Sequence, residues 1–217
     1  MLHPATELRY INDNIGYGVF AKTFIPQGTF LWVLDELDKI LSPDMVRNLP
    51  ELLRNCVEKY AYVDSQGDYV LCWDFGRYTN HSCHPNMRSL GESVEVAVRD
   101  IRAGEELTCE YGVLNLSGSF NCACGKPNCR QTVSAKDVDA YWQDWDAEVN
   151  AVLAVIPDIP QPLHPFIKAN VADKALLEAI FNRQPVFAPL HILSKTEASI
   201  MPHEDRSGDT LWKVRDL

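Results

Sequence analysis

The amino-acid sequence predicts a mainly β (α+β) fold that passes into a helical C-terminal extension. Three observations predict it. Up to about Val133 the apolar residues come in short runs rich in β-branched and aromatic side chains, cut by turn-forming residues. From Ser134 onward they recur at three- and four-residue spacing instead. Between the two regions lies a segment holding three of the chain's seven cysteines, Cys122, Cys124 and Cys129.

The elements follow in order. Val19 to Ala21, Thr29 to Leu34, Tyr69 to Trp73 and Ser93 to Val98 read as strands, and the last alternates apolar and polar residues as a half-buried strand should. Pro26-Gln27-Gly28, Ser65 to Asp68 and Arg102 to Glu105 supply turns. One helical insert is expected over Pro43 to Tyr60, with Met45, Val46, Leu49, Leu52, Leu53, Cys56 and Val57 on one face and a break at Pro50. Ser134, followed by Asp137, resembles an N-cap. The helix it opens carries Val138, Tyr141, Trp142, Trp145, Val149, Val152, Leu153 and Ile156 on its apolar face and ends at Ile156 to Pro160. A second helix is expected within Phe166 to Phe181, packing through Val171, Leu176, Leu177, Ile180 and Phe181. Beyond Pro185 scattered prolines and polar residues predict a loosely ordered tail.

A chain of 217 residues with 46% apolar and 23% charged residues is in the range of folded, soluble proteins. The opening MLHPATELRY lacks a basic segment followed by an apolar one, and no apolar run approaches a membrane span, so secretion and membrane insertion are not expected. The net charge of -10 opposes direct binding to nucleic-acid phosphates and suits a basic protein segment as partner. An odd number of cysteines, three of them crowded together, points to a reducing intracellular compartment, cytoplasm or nucleus, and a thiolate metal site.

Cys122, Cys124 and Cys129 offer three thiolates, and a tetrahedral structural zinc takes four ligands. Gly125 and Pro127 form a turn that brings the three together. Cys83, within NHSCHPN, is the natural fourth; Cys56, Cys72, Cys109 and the nearby histidines stay open on this reasoning. Gly16-Tyr17-Gly18 lies before an apolar strand and allows close approach to the backbone, yet on its own it is as readily an ordinary turn. Arg77 to Asn86 is a polar turn-forming run between apolar segments. His81 and Ser82 are adjacent, which is poor geometry for a base and its nucleophile, so a hydrolase reading is disfavoured. Glu106-Leu107-Thr108-Cys109-Glu110-Tyr111-Gly112 reads alone as a strand leaving a turn.

In order, GYGVFA, IPQG, NHSCHPN, AGEELTCEYG and the three-cysteine segment resemble the SET-domain lysine methyltransferases with a post-SET zinc motif, from about Leu8 to Arg130. The resemblance implies a fold of small curved β-sheets with a pseudoknot formed by the NHSC and ELxxxYG segments. It divides the chain into a SET domain over 1–118, a post-SET zinc segment over 119–133 and a helical extension over 134–217. It implies S-adenosylmethionine as methyl donor, held by Gly16, Tyr17, Gly18, Asn80 and His81, with Tyr111 as the catalytic residue. Cys109, Tyr111 and Phe120 would line the substrate channel, and Cys83, Cys122, Cys124 and Cys129 would hold one structural zinc. The implied activity is methylation of a lysine in a basic protein such as a histone. A non-histone target such as a ribosomal protein, or an inactive interaction module, is the alternative.

Two departures from the family pattern stand out. Many members carry Phe or Tyr where this chain has Cys109, and a smaller side chain there leaves room for dimethyl or trimethyl products. The extension from Ser134 lies beyond the motifs and has three possible roles: completing the core, covering the substrate groove or binding a partner.

Overall fold

In the computed structural model, which describes residues 1–186, the chain opens with an antiparallel hairpin of β1 (Thr6–Asn12) and β2 (Gly16–Ala21). Its turn is local chemistry. The Asn12 side chain accepts from the N–H groups of Asn14 and Ile15, and Gly16 takes φ +82, a backbone region open to glycine. β3 (Phe30–Val33) and β4 (Lys39–Leu41) follow, then the helical insert.

The insert divides into α1 (Pro43–Arg47) and α2 (Glu51–Tyr60), broken at Pro50 as its lost N–H and fixed φ require. Only part of the expected face is covered. Val46, Leu49 and Val57 pack with Leu41 and Tyr69, whereas Met45, Leu52, Leu53 and Cys56 are exposed. The insert is short and packs on the small sheet of β4, β6 (Tyr69–Leu71) and β5 (Tyr62–Val63), with Tyr60 reaching Tyr78, and among the described residues its other side meets solvent.

The remaining strands build the site. β7 (Asn80–His81), β8 (Met87–Leu90), β9 (Val94–Ala97) and β10 (Glu106–Cys109) complete two sheets, ordered β3-β9-β8 and β1-β2-β10-β7. β10 runs antiparallel to β2 but parallel to β7, with Thr108 opposite Asn80 and Cys109 opposite His81. The NHSC and ELTCEYG segments therefore lie side by side. β11 (Ser119–Asn121) and β12 (Thr132–Ser134) pair antiparallel and bracket the cysteine segment. Ser134 ends β12 and is not the cap expected of it; the cap of α3 (Asp137–Leu153) is Lys136, without a side-chain bond.

The sheet β3-β9-β8 is covered on both faces. On one, Phe30, Val33, Leu90, Val94 and Val96 pack against Val149, Val152, Ile156 and Leu163, and against Leu177 and Ile180 of α4 (Val171–Phe181). A register shift between Phe30 and Trp32 turns residues three apart to the same side. On the other, Trp32, Met87 and Ala97 meet Val19, Cys72, Leu107 and Cys109. The extension thus completes a core. Val171, expected on the packing face of α4, is 87% exposed because it begins the helix at its solvent end. The fold class is as expected: small sheets with a helical extension. The expected loose tail, apart from its first residues, lies outside the described residues. Among those residues no helix is long and apolar enough to cross a membrane.

Candidate active site and metal centre

Asn86, the last residue of NHSCHPN, fixes this segment against β10. Its amide nitrogen donates to the Glu106 carbonyl at 2.8 Å and its oxygen accepts from Thr108 N–H at 2.9 Å, so a buried side chain stands in for a strand. The Ser82 N–H adds a bond to the Cys109 carbonyl at 3.1 Å. Asn80, one strand position away, donates to the Tyr17 carbonyl at 3.0 Å and to Glu106 Oε1 at 2.7 Å. These contacts explain Gly18: a Cβ there would stand 2.5 Å from Glu106 Oε1 and 3.0 Å from Asn80 Nδ2. The glycine lets β2 close on both motifs.

Tyr111 follows β10 in a short 3-10 turn, Tyr111–Val113, capped by Glu110, whose Oε1 accepts from Gly112 N–H at 2.8 Å. Its hydroxyl donates to the Thr79 carbonyl at 2.6 Å, which fixes the proton and leaves the oxygen lone pairs free. Burial pushes its pKa up, so it remains a neutral phenol. The Tyr111 N–H donates to His81 Nδ1 at 3.2 Å, which puts the His81 proton on Nε2, 3.5 Å from Cys83 Sγ. Burial first, and then the charges of Arg130 and Arg88, lower the His81 pKa to about 3. Phe120 stands edge to face with His81 and Tyr111, whose own rings are tilted to each other, with centroids 5.5 to 5.9 Å apart.

The four cysteines Cys83, Cys122, Cys124 and Cys129 converge, their sulfurs all within 4.8 Å of one another, and this set is able to hold a metal ion. Cys83 Sγ lies 3.7 Å from that of Cys122 and 3.9 Å from that of Cys129. Backbone N–H groups of Cys124, Arg130 and Gln131 each point at a sulfur, at 3.4 Å. Such donors favour thiolates. Cys56, Cys72 and Cys109 stand apart from the cluster.

Arg130, next to the last cysteine, ties the centre to the rest. One guanidinium nitrogen bridges both oxygens of Glu110 at 2.7 Å, the other reaches Asp137 at 2.8 Å, and the group lies over the Tyr141 and Trp145 rings. Burial raises the Glu110 pKa, while Arg130, Gly112 N–H and Arg88 oppose the rise.

A cavity of about 1080 Å³ joins these parts. Gly16, Tyr17, Asn80, His81, Cys109, Tyr111, Phe120, Cys122 and Cys124 all line it. Gly18, Cys83 and Cys129 stand one contact behind its wall. Trp32, Tyr60, Tyr62, Tyr78, Tyr111 and Phe120 give part of its wall an aromatic lining. Several contributors escaped the sequence reading. Glu106 belongs to AGEELTCEYG, and Arg130 directly follows the last cysteine. Glu95 is the polar residue of the alternating strand over Ser93 to Val98, and its face of β9 lines the cavity.

Comparison with known proteins agrees with this geometry. Residues 16–112 match the SET domain family. The chain is 28% identical over 141 residues, 58% of its length, to the histone-lysine N-methyltransferase, H3 lysine-36 specific, of Cryptococcus neoformans. It is 28% identical over 139 residues to the histone-lysine N-methyltransferase mes-4 of Caenorhabditis elegans, covering 54% of this chain. It is 38% identical over 68 residues, 27% of its length, to the probable histone-lysine N-methyltransferase set-23 of Caenorhabditis briggsae. The chain spans 16% of the length of the first two relatives and 28% of the third. The similarity to the first two extends past the SET domain itself.

Proposed function

We propose that the protein is an S-adenosylmethionine-dependent protein-lysine N-methyltransferase acting on a lysine in a basic protein segment, such as that of a histone. The observation that carries this reading is the convergence of Gly16, Tyr17, Asn80, His81, Tyr111 and Phe120 on one aromatic cavity beside a four-cysteine centre. The names of the similar proteins point to the same chemistry and to a nuclear or other intracellular setting.

The methyl donor, when bound, supplies an activated sulfonium methyl whose leaving group is a neutral thioether. The chain's own residues then have three tasks. Gly16, Gly18 and Asn80 hold the donor's polar end through backbone and amide groups, at a place where a Cβ on residue 18 would intrude. Tyr111 presents lone pairs toward the cavity, since its proton is committed to Thr79, and so favours positive charge at the transferring methyl. The aromatic walls exclude water and lower the pKa of an entering lysine, which must lose its proton to attack. Alignment in such a cavity is worth about 7 to 11 kcal/mol of the barrier. Cys109, in place of a ring, leaves space for a nitrogen already carrying methyl groups.

The cysteine centre is read as one structural zinc in a post-SET segment. A tetrahedral Zn–thiolate site with bonds of about 2.3 Å needs sulfurs about 3.8 Å apart. The 3.7 and 3.9 Å separations fit that requirement before any metal is added. With four cysteines as ligands no position remains for substrate, so the role is structural. The division into 1–118, 119–133 and 134–217 belongs to this reading.

The test is incubation with radiolabelled S-adenosylmethionine and core histones, ribosomal proteins or cell lysate. Labelled lysine is the expected product. Absence of any labelled protein, together with absence of cofactor binding by calorimetry, refutes the proposal.

A further inference from the structure

One half-buried acid has no part in the chemistry above. Glu95 of β9 stands opposite Ser89 of β8 and Trp32 of β3, so its side chain points the way Trp32 does, into the cavity that holds Tyr62, Cys109 and Tyr111. Oε1 accepts from Ser89 Oγ at 2.6 Å. Oε2 is shut from solvent and has no hydrogen-bond partner among the described residues. A carboxyl in such a place is costly unless something answers it.

The groups around it leave that need open. Arg88 of β8 acts on Glu95 by charge, but its own contacts are Glu148 at 2.7 Å and Glu110 at 3.7 Å. Cys109 of β10 and Tyr62 of β5 are the other titratable neighbours, and burial pushes both pKa values up so that both are uncharged. Burial, opposed by Ser89 and Arg88, lifts the Glu95 carboxyl to about 7. Titratable groups perturbed in this way inside a cleft are candidates for proton transfer.

We propose, on the premise that the cavity is a lysine-methyltransferase site, that Glu95 is the acceptor for the substrate amine at the inner wall of the cavity. A carboxylate oxygen takes a hydrogen bond from the ε-nitrogen and then one of its protons. Rotation about the terminal torsion, which is broad and two-fold, brings either oxygen round to the cavity. The ammonium N–H bond breaks, its electron pair stays on nitrogen, and the proton neutralises the carboxylate. Amine and acid are then both uncharged in an apolar site. The nitrogen pair forms the new N–C bond as the C–S pair returns to sulfur, and the Glu95 proton leaves to solvent with the product. Cys109, a thiol where a ring would screen the wall, keeps Glu95 within reach.

The probe for a direct test is n-butylamine, which has the four-carbon amine of lysine. It is added to the full chain saturated with S-adenosylhomocysteine and carrying carboxyl-¹³C glutamate. The Glu95 resonance, assigned by its loss in Glu95→Gln, is expected to titrate near pH 7 and to move as the amine is added. Amine affinity should fall at least about fivefold in Glu95→Gln, an interaction of roughly 1 kcal/mol. A resonance that stays fixed while Tyr111 or Phe120 signals respond overturns the proposal, and so does absence of amine binding.

With core histones as acceptor, wild-type turnover should rise through a step near pH 7. Glu95→Gln should lose that step, fall about tenfold or more at neutral pH, and recover where lysine loses its proton unaided. Ser89→Ala should move the step upward by removing a bond to the carboxylate. Identical profiles in wild type and Glu95→Gln refute the role, and unchanged S-adenosylhomocysteine binding shows that the variants fold. Labelling in the wild type bears on the methyltransferase reading, and the amine titration decides separately for or against Glu95.

Discussion

Replacing Arg130 with Met tests whether the metal segment and the Tyr111 turn are one unit. The Glu110 side chain is 1% exposed and that of Arg130 11%, so the pair is buried. In the variant Glu110 keeps the Gly112 N–H at 2.8 Å and Arg88 at 3.7 Å, which places the cost at the low end for a broken buried pair, about 3 kcal/mol. Loss of the cation over the Tyr141 and Trp145 rings adds about 1 kcal/mol. The loss depends on pH. Glu110 already has a raised pKa, and without Arg130 it rises further, so the penalty is full when the carboxyl is ionised and shrinks as acid protonates it. The assay is urea unfolding of metal-replete wild type, Arg130→Met, Glu110→Gln and the double variant at pH 8 and pH 5. The double variant should recover at least about 1.5 kcal/mol relative to the sum of the singles. Additive losses, or an Arg130→Met loss under about 1 kcal/mol, refute the coupling. Metal release measured in parallel should quicken, because the lost ion pairs to Glu110 and Asp137 no longer hold in place the backbone whose residue-130 N–H supports Cys83 Sγ at 3.4 Å.

Four further outcomes follow from the geometry. Tyr111→Phe should lower turnover roughly 10²-fold while cofactor affinity by calorimetry changes little; an unchanged rate removes the role given to its oxygen. The purified chain should carry about one equivalent of zinc, and Cys83→Ser or chelation should release it and lower the thermal midpoint, whereas less than half an equivalent with no effect from Cys83→Ser counts against the four-thiolate centre. Gly91→Ala should destabilise by about 2 to 4 kcal/mol in urea, since Gly91 has φ +67 and an added Cβ collides with the Asp173 carboxylate that binds the Glu92 N–H. The Glu95 carboxyl is raised from 4.5 to about 7 in the folded state, so the native state binds the extra proton and stability is lost as pH rises across that interval. Wild type should therefore lose stability relative to Glu95→Gln by up to about 3 kcal/mol between pH 4.5 and pH 8, and a difference that does not vary with pH contradicts this.

What the sequence disclosed and what it concealed divide along physical lines. The Pro50 break, the Gly16 turn and the close spacing of Cys122, Cys124 and Cys129 are local, and local rules are enough to read them. The motifs placed the NHSC segment beside ELTCEYG through family resemblance. No periodicity carries that pairing, because the amide of Asn86 takes the place of a strand. Alternation failed at β9 for a related reason: it separates two faces of a strand but does not say which is wet. In a sheet packed on both sides, Val94 and Val96 meet the helices of the extension while Glu95 enters a cavity built from strands far away in sequence. The insert failed in the opposite sense, since Met45, Leu52 and Leu53 keep a helical spacing yet stay exposed among the described residues. Arg130 shows how much one long-range contact decides. By sequence it is the residue after the last cysteine of the cluster; in space it joins the cysteine segment, the turn bearing Tyr111 and the first turn of α3. The placement of the cysteine segment and of Tyr111 thus depends on one buried ion network. Metal binding should therefore be felt at Tyr111 even though no cysteine of the cluster touches its hydroxyl.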